Sequence, residues 1–94
     1  MILSYHDRKT ERFAMGEFVK AFSGFGAEAA KRLAILNAAP ALETLRALPS
    51  NRLEALRGDR EGQYSIRVNA QWRICFEWPD GLAGPSGVEI VDYH

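Results

Sequence analysis

Hydrophobic positions recur at helical spacing up to about residue 50 and alternate after it, so the chain divides into a helical half and a sheet half. Ile2 to Tyr5 is a short β-branched and aromatic stretch that predicts a first strand. Asp7 predicts the N-cap of a helix running from Arg8 to about Glu17, with Phe13 and Phe18 turned inward. Ser23-Gly24-Phe25-Gly26 breaks that helix. Ala29, Leu33 and Leu36 then share one helical face, with Glu28, Lys31 and Arg32 outside it, which predicts a second helix over about Ala27 to Ala39. Pro40 stops it. Leu42, Leu45 and Leu48 predict a short third helical piece ending at Pro49.

Leu53 and Leu56 flank a predicted strand that ends at the turn Gly58-Asp59-Arg60-Glu61-Gly62. From Gln63 to Asn69, Tyr64, Ile66 and Val68 fall on one face and Gln63, Ser65, Arg67 and Asn69 on the other. Ala70-Gln71 forms a tight connection to a strand with Trp72, Ile74, Phe76 and Trp78 on one face and Arg73, Cys75 and Glu77 opposite. Pro79 to Gly87, with three glycines and two prolines, reads as a loop, and Val88 to Tyr93 as the last strand. Helices first and strands afterwards predict a single α+β domain over 1–94. Its N-terminal helices pack on one face of a small, mostly antiparallel, twisted sheet. Arg67 and Arg73 then project from adjacent strands on the other face, exposed and contributing little to stability. Strict alternation places Asp92 and His94 with Val88 and Ile90 toward the core and Tyr93 with Glu89. Either the last strand twists or bulges, or those residues extend past the sheet.

Composition narrows the class. The 94 residues, 47% hydrophobic and 26% charged, exclude a disordered tail and a collagen-like fibre and suffice for one core. No apolar run approaches the ~20 residues that span a bilayer. The first residues also lack the basic-then-apolar order of a secretory signal. With Cys75 as the lone cysteine, the expected setting is the reducing cytoplasm, without a membrane partner. Twelve basic and twelve acidic residues cancel, so the total charge points to no nucleic acid. Its distribution is informative. Arg52, Arg57, Arg60, Arg67 and Arg73 fall between Ser50 and Arg73, against three acids, while Ile74 to His94 holds four acids and no Lys or Arg.

Several chemistries lack their residues. His6, Cys75 and His94 have no metal-ligand spacing, so no metal and no cofactor is expected. The glycines around Asp59 follow neither phosphate-loop pattern. What remains is a set of arginines and the group Asp92-Tyr93-His94. Metal-free cleavage of RNA needs a base for the 2′-hydroxyl proton, cations for the phosphorane and an acid for the leaving 5′-oxygen. Arginine suits the cation, histidine or aspartate the proton transfers, and tyrosine can stack on a base or donate a hydrogen bond.

The run Leu53-Glu54-Ala55-Leu56-Arg57-Gly58-Asp59-Arg60-Glu61-Gly62, the strand Gln71-Trp72-Arg73-Ile74-Cys75-Phe76 and the closing Asp92-Tyr93-His94 resemble HigB-type toxins of the RelE/ParE superfamily. The resemblance extends to Ala29–Leu36 and Leu42–Leu48. It implies a RelE-like fold and a metal-independent endoribonuclease that cuts mRNA in the ribosomal A site. It also implies a cognate HigA-type helix-turn-helix antitoxin, through which alone operator DNA is bound. Carried onto this chain, it implies catalytic roles for Arg57, Arg73, Asp92, Tyr93 and His94. Arg60 and Arg67 are candidate RNA-binding residues. Glu54 stands where several members carry histidine, which sets a carboxylate before the arginines. Two further readings stay open: a ParE-like gyrase inhibitor, and an inactivated relative that only binds its antitoxin.

Overall fold

A computed structural model describes residues 1–92. Along the chain come α1 (Arg8–Ala14), a 3-10 turn (Lys20–Phe25), α2 (Gly26–Ala38) and α3 (Leu42–Arg46). Strands β1 (Glu54–Ala55), β2 (Gln63–Arg67), β3 (Trp72–Glu77) and β4 (Ser86–Asp92) follow, with short 3-10 turns at Pro49–Asn51 and Gly58–Arg60. The helices-then-sheet order agrees with the α+β expectation.

Asp7 caps α1 as its side chain suggests, accepting the Thr10 N–H at 2.8 Å. The helix nevertheless ends at Ala14, short of the predicted Glu17. Gly16 takes a φ of +93°, and the Gly16 and Glu17 N–H groups donate back to the Phe13 and Arg12 carbonyls. That bond pair closes a helix on a left-handed glycine. Phe18 is thereby carried off the helix and exposed, contrary to expectation, while Phe13 does pack on the core. Phe22 and Phe25 of the following 3-10 turn fill the space instead. In α2 the anticipated face, Ala29, Leu33 and Leu36, is buried. Leu45 is the buried residue of α3, whereas Leu48 lies beyond its end and is exposed.

The sheet is an antiparallel meander in the order β1-β2-β3-β4. Ile2–Tyr5 does not form the predicted strand. It contributes one parallel bridge, Tyr5 to Val88, before the chain turns into α1. The Val88 N–H donates to the Ser4 carbonyl at 3.1 Å and the Ile90 N–H to Thr10 Oγ1 at 3.1 Å, so backbone donors on the outer edge of β4 are satisfied. Between β2 and β3, Asn69 Oδ1 accepts the Gln71 and Trp72 N–H groups, both at 2.8 Å, and fixes the turn. The β3–β4 ladder carries a bulge: Cys75 faces Glu89 and Glu77 faces Ser86, so β4 uses one residue more than β3. Gly87, with φ of +60°, takes the strained position. Past the bulge, Val88 and Ile90 face the helices with Ile74 and Phe76.

The helical face of the sheet matches the alternation of its sequence. The outer face does not, because Ser65, Arg73 and Cys75 are all buried there. Leu56, placed by its bond to Gln63 on the same side, is buried outside the main apolar cluster. Exposure of Arg73 is thus corrected: the Arg52 carbonyl and the Glu54 side chain, from the segment that forms the edge strand β1, close over its guanidinium.

Candidate functional site

Strand register decides which arginines meet. Arg67 and Arg73 are direct cross-strand partners on the outer face. Like charges in that position repel, and the structure answers by neutralising Arg73. Its Nε donates to Ser65 Oγ at 2.7 Å, Nη2 to the Arg52 carbonyl at 2.6 Å and to the Ser65 carbonyl at 3.4 Å, and Nη1 lies 3.3 Å from Glu54 Oε1. Arg52 itself is the positive-φ residue other than glycine among the described residues, at φ +46°. Its left-handed backbone turns its carbonyl onto the guanidinium. Nothing in the local sequence signals this, since no glycine or asparagine stands at position 52.

Arg60 comes from the turn after β1, reaches across β2 and β3, and donates to Gln63 Oε1 at 3.0 Å and Glu89 Oε1 at 3.3 Å. Glu89 also has the exposed His6 imidazole 3.8 Å from its other oxygen. Cys75 sits beneath this row, directly across from Glu89. Burial pushes its thiol pKa up. Arg60 draws it back down, Glu89 adds to the rise and Arg73 lowers it again. The thiol is consequently a packed, protonated group at neutral pH.

Arg57 is exposed just before the Gly58–Arg60 turn. Because the Leu56 N–H bonds the Gln63 carbonyl, Arg57 lies at the Gln63 end of β2, roughly 13 Å along the strand from Arg67. Asp92 ends β4 opposite Trp72 and accepts from Gln71 Nε2 at 2.9 Å. Register gives it the face of Trp72, whose ring stacks on Phe25 with centroids 4.6 Å apart. Asp92 is exposed at the rim, past the core, so the bulge near Gly87 does not divert it and the strand end simply outruns the packed region. The structure therefore brings Arg67, Arg73 and Glu54 together on the outer face, sets Asp92 at the same end of the sheet but in register with the opposite face, and places Arg57 and Arg60 toward the other end. Tyr93 and His94 lie outside the described residues. Ser65 and Arg52, which hold Arg73, carry no such role in the sequence, where Ser65 is a polar outer-face position and Arg52 one of five clustered arginines.

Among the described residues there is no group of three or more His, Cys, Asp or Glu side chains able to hold a metal ion, and no helix long and apolar enough to cross a membrane.

The chain is similar to known proteins along its length. A 53-residue stretch is 51% identical to Toxin HigB-1 of Vibrio cholerae serotype O1, covering 56% of this chain and 56% of that one. A 43-residue stretch is 49% identical to Endoribonuclease HigB of Proteus vulgaris, covering 46% and 45% respectively. The chain thus aligns with about half the length of these relatives. The fold is shared with a YoeB/ParE toxin from Agrobacterium tumefaciens at a TM-score of 0.60 and 12% identity, covering 99% of this chain and 98% of that one. A family model described as the RelE-like toxin of type II toxin-antitoxin system HigB matches residues 4–94, and the chain belongs to this HigB-like toxin family.

Proposed function

We propose that the protein is a type II toxin acting as an endoribonuclease on mRNA at the ribosome, in the cytoplasm, and that a HigA-type helix-turn-helix antitoxin neutralises it. The observation that carries this reading is the family match over residues 4–94, together with the similarity to a relative named as an endoribonuclease. The geometry supports it through the buried, rigidly held Arg73 beside Arg67 on the outer face, near the rim where β4 ends at Asp92 on the Trp72 side. A phosphate at that end meets a guanidinium that is already oriented, which is the arrangement that stabilises developing phosphorane charge without reorganisation.

In the proposed reaction a base among Asp92 and His94 takes the 2′-hydroxyl proton. The 2′-oxygen attacks phosphorus, and the bond to the 5′-oxygen breaks as an acid from the same group protonates that oxygen. Arg73, with Arg67 beside it, compensates the added negative charge. Arg57, from the opposite end of β2, serves as a contact to RNA flanking the cut, and Tyr93 as a platform for a base. Arg60 acts through its hold on Glu89.

Primer extension on a message recovered after induction tests the proposal. Cuts within codons that disappear in His94→Ala are expected. An intact message with blocked replication overturns the nuclease reading in favour of gyrase inhibition. A catalytically silent relative that only binds its antitoxin is the second reading, favoured by one observation: Glu54 already occupies Arg73.

A further inference from the structure

The partners of Arg73 differ in how firmly they are held. Ser65 is fully buried in β2, and the Arg52 carbonyl is backbone pinned by a left-handed turn. Glu54 is unlike both. Its side chain is 54% exposed, whereas that of Arg73 is 10% exposed, and it approaches the guanidinium from the solvent side at 3.3 Å. Glu54 lies on the two-residue strand β1, whose residues are both exposed, so its carboxylate can swing away without disturbing the core. An ion pair with one exposed partner is weak and yields to a competing anion, whereas the short bonds to Ser65 and Arg52 stay in place.

A carboxylate oxygen and a non-bridging phosphate oxygen seek the same donor, and a guanidinium edge serves either. We infer that Glu54 is a resident competitor for the phosphate site on Arg73: it occupies the Nη1 side in the empty protein and is displaced when an RNA phosphate binds. This deepens the proposed function and rests on it. Position 54 then sets the affinity of the site without supplying a reacting group. The neutral total charge of the chain takes on a local meaning, because Glu54 offsets charge on the firmest cation of the face until a polyanion displaces that carboxylate. Arg52 and Arg67, at the margin of the pair, give the incoming strand further positive charge.

The test is binding of a fluorescent single-stranded RNA carrying 2′-O-methyl groups, which cannot be cleaved, measured by anisotropy across a salt series. Wild type, Glu54→Gln, Arg73→Lys and the double variant are compared, with melting curves to certify folding. Glu54→Gln is expected to bind about fivefold tighter at equal salt, the size of effect an exposed ion pair commands. Its log K against log salt should keep the wild-type slope, because Arg73 neutralises the same phosphate in both complexes. In the Arg73→Lys background the same substitution should give at most about half of that gain. Binding by Glu54→Gln equal to or weaker than wild type overturns the inference and leaves the nuclease reading standing. Absence of binding by every protein down to low salt also overturns it, and primer extension with the wild type then decides whether the nuclease reading falls too.

Discussion

Replacing Arg73 by alanine should unfold much of the protein's stability margin, although the residue lies on the sheet face opposite the main core. The substitution removes two short bonds from a charged donor, to Ser65 Oγ at 2.7 Å and to the Arg52 carbonyl at 2.6 Å. Each belongs to the class worth about 1.5–3 kcal/mol, and the fully buried Ser65 is left short of a donor. Loss of the pair with Glu54 adds at most about 1 kcal/mol. The expected cost is about 3–5 kcal/mol, against a total of about 5–14 kcal/mol for a domain of this length, or a fall in melting temperature of about 15–30 °C. Arg67→Ala is the control. It removes the like charge facing Arg73 and should change stability by no more than about 0.5 kcal/mol. Urea unfolding followed by circular dichroism measures both. An Arg73→Ala protein within about 0.5 kcal/mol of wild type would refute the reasoning that this guanidinium binds the outer layer together. Lost toxicity in that variant is informative about chemistry only alongside its unfolding curve.

The other predictions test separate contacts. Trp72→Ala should cost about 3–5 kcal/mol in the same assay, because it removes the ring stacked on Phe25 and edge-on to Phe22. Arg52→Gly should hold or raise the melting temperature, since a non-glycine residue at φ +46° carries about 1–2 kcal/mol of strain that glycine lacks and glycine's own entropy cost is smaller. Cys75 should resist iodoacetamide at pH of about 8 until urea unfolds the chain. With its thiol pKa raised in the fold, its contribution is intact below the unfolded value of about 8.5 and lost as pH rises through the folded one. Unfolding midpoints of wild type should therefore drop more than those of Cys75→Ala between pH of about 8 and 10. Cleavage by the proposed acid/base group should survive chelation when the ribosomes' own Mg²⁺ is held constant; loss of activity there would sink that mechanism.

Sequence pattern was a good guide wherever one element answered to one periodicity. Ala29, Leu33 and Leu36 declare the buried face of α2, and Ile66, Ile74 and Ile90 the helical face of the sheet. It was a poor guide where burial comes from a distant segment. Ser65, Arg73 and Cys75 read as a solvated face because nothing in their own strands reveals that the Arg52 carbonyl and the side chains of Glu54 and Arg60 reach across that face. The end of α1 was misplaced because Gly16 acts through a left-handed turn, while Phe18, two residues later, still looked like the next inward position. The pairing of Arg67 with Arg73 followed directly from the hairpin. The holding role of Arg52 could not have been anticipated, since a left-handed arginine has no local signature.

The bulge at Gly87 separates two parts of β4 that would otherwise be geometrically tied. Without the extra residue, β4 beyond that point would pair one position out of step, and inward and outward side chains would be exchanged as far as Asp92. With it, the reset happens at a glycine, between the Glu77–Ser86 pair and the Cys75–Glu89 pair. Val88 and Ile90 then anchor the remainder of the strand. The loop beginning at Pro79 is thus insulated from the strand end that presents Asp92. Evolution or an engineer can lengthen, shorten or recolour that loop, and the pairing of Val91 with Arg73 and of Asp92 with Trp72 is inherited unchanged.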